Sequence, residues 1–248
     1  MKAILTYHSV DESGSVISID AQTFRRHVRW LASGRVRVLP LDQLIDAPDD
    51  ADAVAITFDD GLENFGDIAA PMLHEHGLPA TLFVVADAVG TTNVWKGGAD
   101  PGIPTFRVLG WDALRRLAAH GVSIGAHTCN HPNLALVEPA VAEHEIITSR
   151  SRLARELGVD VTTFAYPYGG VSDAARDVVA REFRYGVTTR FATLTPHDDR
   201  ALLPRLDSYY FRAPGTLESW GTKRFRVRIG LLAGARSVRR SLARSSTT

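Results

Sequence analysis

The chain has 248 residues, 28 Lys and Arg against 28 Asp and Glu, 45% apolar residues and a single Cys. That length and apolar share suit one large domain, or at most two small ones, with a full core, and they exclude disorder, collagen and coiled coil. One Cys forms no internal disulfide and no thiolate zinc cluster, so any metal site must draw on His and carboxylates.

The opening MKAILTYHSV has no charged segment leading into an apolar run of about 7 to 15 residues, and no stretch approaches the roughly 18 apolar residues of a membrane span. The expectation is a protein without signal peptide or transmembrane helix, acting in the cytoplasm or at the inner face of the membrane. Apolar runs of strand length then alternate with helical spacing. AILTY is followed by Asp20 as the N-cap of a helix carrying Phe24, Val28 and Leu31. AVAITF leads to a helix through Pro71, Met72 and Leu73 to His76, and ATLFVVA to a long Gly- and Pro-rich loop from Gly90 to Thr105 around Trp95. Trp111 to Ala119 reads as a helix feeding GVSIGAH, Glu138 to Leu157 as a long helix feeding TTFAYPYG, and Ser172 to Glu182 as a helix feeding YGVTT. This alternation predicts a mostly parallel sheet covered by helices, either a barrel or a doubly wound sheet, with function at the carboxyl ends of the strands.

From Lys223 onward the sequence holds eight Lys and Arg and no acid, which leaves 20 basic against 28 acidic residues in positions 1–222. An acidic body carries a basic tail. Drawn as a helix, the tail places Val227, Leu231, Ala235, Val238 and Leu242 on one face and Arg228, Arg236, Arg239 and Arg240 opposite, which fits peripheral contact with an anionic membrane. Gly230 and Gly234 weaken that helix, and a solubilising or disordered tail is the competing reading. Nucleic acid is excluded as a partner, because the acidic body opposes a phosphate backbone and no groove of aromatic and basic residues is present.

Three strand ends carry chemistry. Thr57-Phe58-Asp59-Asp60-Gly61 puts two adjacent carboxylates after an apolar run, so that one can bind a metal while the other faces a substrate; the competing reading is an Asp-Gly turn of solvated acids. His127-Thr128-Cys129-Asn130-His131 places two imidazoles four apart, a pair that can bind one ion together with a carboxylate from elsewhere. Tyr166-Pro167-Tyr168-Gly169-Gly170 exits a strand through a Pro-fixed turn whose glycines let backbone amides face a ligand.

In this order, the three motifs resemble the polysaccharide deacetylases with the NodB homology domain. The resemblance spans about residues 1–210, and residues 1–215 are read as one catalytic domain with 216–248 as the tail. It implies a distorted (β/α) barrel of about seven strands that removes N-acetyl groups from amino sugars of a polysaccharide or glycan precursor. It further implies Asp59 as catalytic base, Asp60, His127 and His131 as ligands of a divalent metal, usually zinc, and the Tyr168 backbone N–H as oxyanion donor. A metal with three protein ligands lowers the pKa of its bound water toward about 7 and polarises the acetamide carbonyl.

Two features depart from the family pattern. The third motif commonly begins with an Arg that pairs with the catalytic Asp; here that residue is Ala165, as in the branch that deacetylates β-1,6-glucosamine-type polymers. Arg205 is the candidate replacement, with a surface ion pair as its other reading. The late Leu-x-His motif that carries the general acid has its nearest match at Thr193–His197, so His197 is the first candidate for that proton and His8 the second. Asn93 and Trp95 are candidates for a sugar-facing wall or for loop packing, and Cys129 reads as a small buried residue. Two rival functions remain: hydrolysis of another C–N bond, such as a cyclic imide, and non-catalytic carbohydrate binding.

Overall fold

The computed structural model describes the backbone of residues 1–95, 98 and 100–245, with side chains to residue 236. The strands are β1 (Lys2–Tyr7), β2 (Ser9–Val10), β3 (Ser18–Ile19), β4 (Arg37–Val38), β5 (Ala53–Phe58), β6 (Ala80–Val84), β7 (Ser123–Ala126), β8 (Thr163–Ala165), β9 (Tyr185–Val187) and β10 (Leu206–Asp207). The helices are α1 (Ala21–Leu31), α2 (Leu41–Asp46), α3 (Ala70–Glu75), α4 (Trp111–Ala119), α5 (Pro139–Leu157), α6 (Asp173–Glu182) and α7 (Lys223–Ser245). Asp20 caps α1 by accepting from the Thr23 N–H, as its place before the apolar periodicity predicts. The short β4, α2 and the β2/β3 pair have too little periodicity to be read from sequence. Among the described residues, no helix is long and apolar enough to cross a membrane.

All pairings in the main sheet are parallel, in the order β10-β1-β5-β6-β7-β8-β9, with β4 beside the start of β5. The ends meet through an irregular seam. Leu203 bridges Val187 of β9 and, three residues on, Leu206 pairs with Leu5 of β1, so residues 203–207 close the barrel between its first and last strands.

Period-two alternation divides the side chains between two cores. Leu5 and Tyr7 of β1, Ile56 and Phe58 of β5 and Leu82 and Val84 of β6 point outward into the core under the helices. Ile4, Ala53, Ala55, Phe83, Ala165, Tyr185 and Val187 form the interior, plugged by Leu41 and Leu44 of α2. The interior is tightly filled: a Cβ on Gly125 would stand 2.4 Å from the Phe83 ring and 2.7 Å from the Thr163 hydroxyl. Above this apolar floor the Thr6 and Thr57 hydroxyls bond at 2.9 Å, and the interior becomes polar toward the carboxyl ends of the strands.

The tail is helical from Lys223 and begins docked rather than free. Phe225 and Ile229 are buried in the main core, Phe225 against Phe211 and Trp220, and Arg228 donates to the Tyr210 carbonyl. Val227 and Leu231, on the stripe read from the sequence as the apolar face, stay exposed, because the side of α7 that packs is the one with the aromatic Phe225. Side chains of Val238, Arg239, Arg240 and Leu242 lie outside the described residues.

Candidate active site

The alternation that sends Phe58 outward sends Thr57 and Asp59 inward, and the Asp59 N–H continues the ladder by donating to the Tyr7 carbonyl at 3.0 Å. Asp59 is buried, and Arg205 from the seam grips it with both guanidinium arms, Nη1 to Oδ1 at 2.7 Å and Nη2 to Oδ2 at 2.6 Å. Arg205 is itself 2% exposed; its Nε donates to the Thr188 carbonyl and its plane lies over the Phe83 ring. Burial pushes the Asp59 carboxyl up, but the adjoining guanidinium outweighs it and holds the group below the usual carboxylate range. The surface-pair reading of Arg205 is thereby replaced by a buried bidentate pair.

Asp60 takes a left-handed backbone (φ 72°), which turns its carboxylate away from Asp59 and toward the histidine loop. Its Oδ1 lies 3.5 Å from His127 Nε2 and 3.4 Å from His131 Nε2, and the two ring nitrogens are 3.2 Å apart. The Nδ1 of His127 faces the Ala165 carbonyl at 2.7 Å. A carbonyl only accepts, so Nδ1 carries the proton and Nε2 presents a lone pair to the centre of the triangle. Asp60 Oδ1 is buried with no hydrogen-bond partner. Three donor atoms facing one point, one an orphaned carboxylate oxygen, fit a cation between them. Tetrahedral coordination at about 2.0–2.1 Å separates ligand atoms by about 3.4 Å, and the observed triangle has that size. Among the described residues this is the one cluster of three such groups able to hold a metal. Burial raises the Asp60 carboxyl and the two imidazoles counter it, so the group is held well below the usual range.

The histidine loop is fastened from α5. Glu145, buried, accepts from the Cys129 and Asn130 backbone N–H groups at 2.8 Å each and from the Asn130 side chain at 2.7 Å. Thr128 donates to the His127 carbonyl and accepts from the His131 N–H, stitching the two ligands together. Sequence reasoning missed Glu145, since one acid in a long polar helix gives no signal. The four non-glycine residues with positive φ are Asp60, Thr128, His131 and Tyr168, all within the three motifs, so the strained backbone of the described chain is concentrated where ligands are aimed.

These groups line a cavity of about 100 Å³ together with His8, Ile17, Trp95, Asp100, Tyr166 and Thr189. Trp95, 7% exposed, lies against the His131 ring at 4.4 Å, and Tyr168 meets the same ring edge-on at 4.7 Å. The Tyr168 hydroxyl donates to the Asp100 carboxylate, strapping the long loop to the third motif; burial and the neighbouring Asp100 push the phenol up. Asn93 lines the same cavity, and its amide bonds the Pro104 carbonyl and the Phe106 N–H of the long loop. Cys129 is buried as expected.

His8 Nε2 stands 3.7 Å from Asp59 Oδ2 at the cavity wall. His197 is a correction. It sits exposed in the turn after Leu194, which pairs with Lys2 at the start of β1, and so lies at the opposite end of the barrel from the carboxylates. At about 3.3 Å per residue, the length of β1 separates it from the site, and no proton passes directly over such a span.

The sequence profile of the polysaccharide deacetylase family matches residues 46–186, more than half of the chain, with Asp59, Asp60, His127, His131 and Tyr168 inside the match. The chain belongs to the polysaccharide deacetylase family. His8 and Arg205 fall outside the matched stretch. The chain is 27% identical over 193 residues to YxkH of Bacillus subtilis strain 168, named for the same family, covering 75% of this chain and 63% of that protein. It is 24% identical over 203 residues to the poly-β-1,6-N-acetyl-D-glucosamine N-deacetylase of Staphylococcus epidermidis, covering 76% of this chain and 67% of the other. The match thus spans just under two thirds of YxkH and about two thirds of the staphylococcal enzyme. Among solved structures, IcaB of Ammonifex degensii superposes with a TM-score of 0.73 at 24% identity, covering 84% of this chain and 93% of that one. The Streptococcus pyogenes deacetylase PplD, solved in complex with acetate, gives 0.70 at 22%, covering 83% and 91%. At these identities the likeness is one of fold, and it agrees with the barrel expected from the motifs.

Proposed function

We propose that this protein is a metal-dependent hydrolase that removes N-acetyl groups from amino sugars of a glycan, with polymers of N-acetylglucosamine as the substrate class. The observation that carries the reading is the Asp60, His127 and His131 triangle beside an Arg205-held Asp59, all lining one cavity. The relatives named above as deacetylases support it. A cavity of about 100 Å³ holds little more than an acetamido group and a water, with the sugar ring outside.

Asp60, His127 and His131 would hold zinc or another divalent ion, which when bound supplies Lewis-acid polarisation of the acetamide carbonyl and a water of lowered pKa. Asp59, kept ionised by Arg205, accepts the proton of the attacking water as its oxygen adds to the carbonyl carbon. The backbone N–H of Tyr168, in the left-handed turn at the cavity wall, is assigned to the developing oxyanion. His8 is assigned the proton that the sugar nitrogen needs before the C–N bond breaks, because it is the histidine at the cavity that the metal triangle does not use. Acetate and a free amine result. Peripheral contact of the basic tail with a membrane belongs to the same proposal.

The test is acetate release from N-acetylglucosamine oligosaccharides by zinc-loaded protein, with metal content read by elemental mass spectrometry. Asp59→Asn should lower the rate by about 10²–10⁴-fold, the usual share of a general base, with metal content unchanged. Ring opening of a cyclic imide without acetate release would replace the substrate class, and bound metal without turnover on either would favour a binding protein.

A further inference from the structure

Three successive carbonyls of the loop after β9 are each taken by an arginine. That of Thr188 accepts from Arg205 Nε at 3.0 Å, that of Thr189 from Arg236 Nη2 at 3.3 Å, and that of Arg190 from the Arg205 backbone N–H at 2.9 Å. The first and third contacts belong to the residue that grips Asp59. The second comes from α7, which packs into the outer core through Phe225 and Ile229.

The side chain of Thr189 faces the other half of the site. It lines the cavity, and its hydroxyl donates to the Tyr168 carbonyl at 3.3 Å. Tyr168 holds φ at 58°, a left-handed conformation that a residue with a Cβ keeps only where its surroundings impose it. Within the turn, the Gly169 N–H donates to the Tyr166 carbonyl and the Gly170 N–H to that of Pro167. Thr189 adds a restraint from outside the turn, and it stands very close: a Cβ on Gly169 would lie 2.0 Å from its Oγ1 and 2.9 Å from its backbone nitrogen. A shift of the 188–190 loop therefore displaces the turn, and with it the Tyr168 N–H.

Arg236 is held from several sides. Beyond the Thr189 carbonyl, its Nη1 donates to the Tyr210 hydroxyl at 3.1 Å and lies 3.7 Å from the Asp207 carboxylate. The guanidinium also sits by the Phe191 and Tyr210 rings, 5.6 and 5.3 Å from their centres. About two turns separate it from the buried Ile229, which puts it on the docked side of the helix.

We propose that Arg236 and Thr189 are positioning residues of the hydrolase: α7 fixes the 188–190 loop through Arg236, and Thr189 passes that placement to the Tyr168 N–H. One loop then sets both the Arg205-held base and the oxyanion donor, and the tail helix is part of the catalytic unit. The placement of the turn stands on these contacts; its catalytic consequence rests on the deacetylase reading.

The experiment uses the full chain, zinc-loaded, with the variants Arg236→Met, Thr189→Val, their double variant and Thr189→Ser. Hydrogen exchange of the 167–170 backbone, read by mass spectrometry, needs no substrate. Arg236→Met and Thr189→Val should each speed it about tenfold, in line with one lost hydrogen bond, while residues 127–131 exchange as in the wild type. On N-acetylglucosamine oligosaccharides, kcat should fall about 10–100-fold at nearly constant KM, as for an interaction that matters only in the transition state. The double variant should lose no more than the worse single one, because both act by one route, and Thr189→Ser, which keeps the donor, should retain most of the rate. Unchanged exchange at 167–170, or a lowered melting temperature with kcat intact, would make Arg236 a structural staple and overturn the proposal. A raised KM with kcat intact would make Thr189 a sugar contact, and additive losses would give the two residues separate roles; either overturns it as well. If the wild type releases no acetate, the deacetylase reading falls, and the exchange measurement still decides whether α7 sets the turn.

Discussion

At the residue scale the site depends on charges that water does not reach. Arg205 and Asp59 are a buried bidentate pair, and removing one partner of such a pair leaves an uncompensated charge. Arg205→Met should therefore cost about 3–5 kcal/mol of stability, while Arg205→Met/Asp59→Asn, which removes the charge as well, should recover much of that loss in denaturant titrations. A double variant destabilised by the sum of the Arg205→Met and Asp59→Asn losses would mean that the two side chains act separately. A second buried group sets the acid response. His27 on α1 faces the Phe211 carbonyl with Nε2, which must donate, and accepts from the Tyr7 hydroxyl at Nδ1; burial, with Arg26 adding to it against Glu218 and Asp20, lowers its pKa to about 4. A histidine whose folded pKa lies below its unfolded value of about 6.5 binds fewer protons folded than unfolded, so its contribution declines as pH falls from about 6.5 to 4 and is flat below. Over that window the folded state should lose up to about 3 kcal/mol that His27→Gln does not lose, so the stability gap between wild type and variant narrows on acidification. A gap independent of pH would mean that His27 titrates alike in the folded and unfolded chains, and one that widens on acidification that it is protonated when folded.

At the element scale, the loop after β7 is aimed by α5. Glu145 collects three N–H donors from the loop, and Gln in its place keeps the shape but loses the charge that shortens those bonds. Glu145→Gln should weaken zinc binding by about 10–100-fold, the usual effect of supporting groups, while circular dichroism stays native; unchanged affinity in a competition titration would mean that the loop holds its shape unaided. How much of this was legible follows from where each residue sits. Asp59, Asp60 and His127 directly follow strands whose alternation is plain in the sequence, with His131 four residues further along the same loop, so their convergence at one barrel end follows once the strands are taken as parallel. Arg205 lies in the irregular seam, where no period tells inside from outside, and its inward path depends on Leu203 and Leu206 pairing with strands far away in sequence. His197 is the nearest match to the late Leu-x-His motif, but nearness in sequence does not say which end of the barrel a turn occupies. On α7 two apolar stripes compete, and only the packing of Phe225 against Phe211 and Trp220 decides which one docks.

At the scale of the whole molecule, the arrangement of strain and charge ties the fold to a cluster that could hold a cation. The triangle of ligands is held by elements from across the barrel: Asp60 by the end of β5, His127 by the β8 carbonyl it donates to, and His131 by a loop that α5 clamps. The unfolded chain does not bring these together, so a cation that binds the triangle selects the folded state. Free metal a hundredfold above its dissociation constant adds about 2.7 kcal/mol, and at roughly 2–4 °C per kcal/mol for a chain of this size the melting temperature should rise by about 5–11 °C. Stripping the protein with a chelator and adding back zinc should reverse and restore that shift in a thermal melt. His127→Ala/His131→Ala should melt at one temperature under both conditions, because the remaining carboxylate holds a divalent ion too weakly to matter. A zinc-dependent shift of the same size in the double variant would place the stabilising ion elsewhere on the molecule and remove the main physical support for hydrolysis at this site.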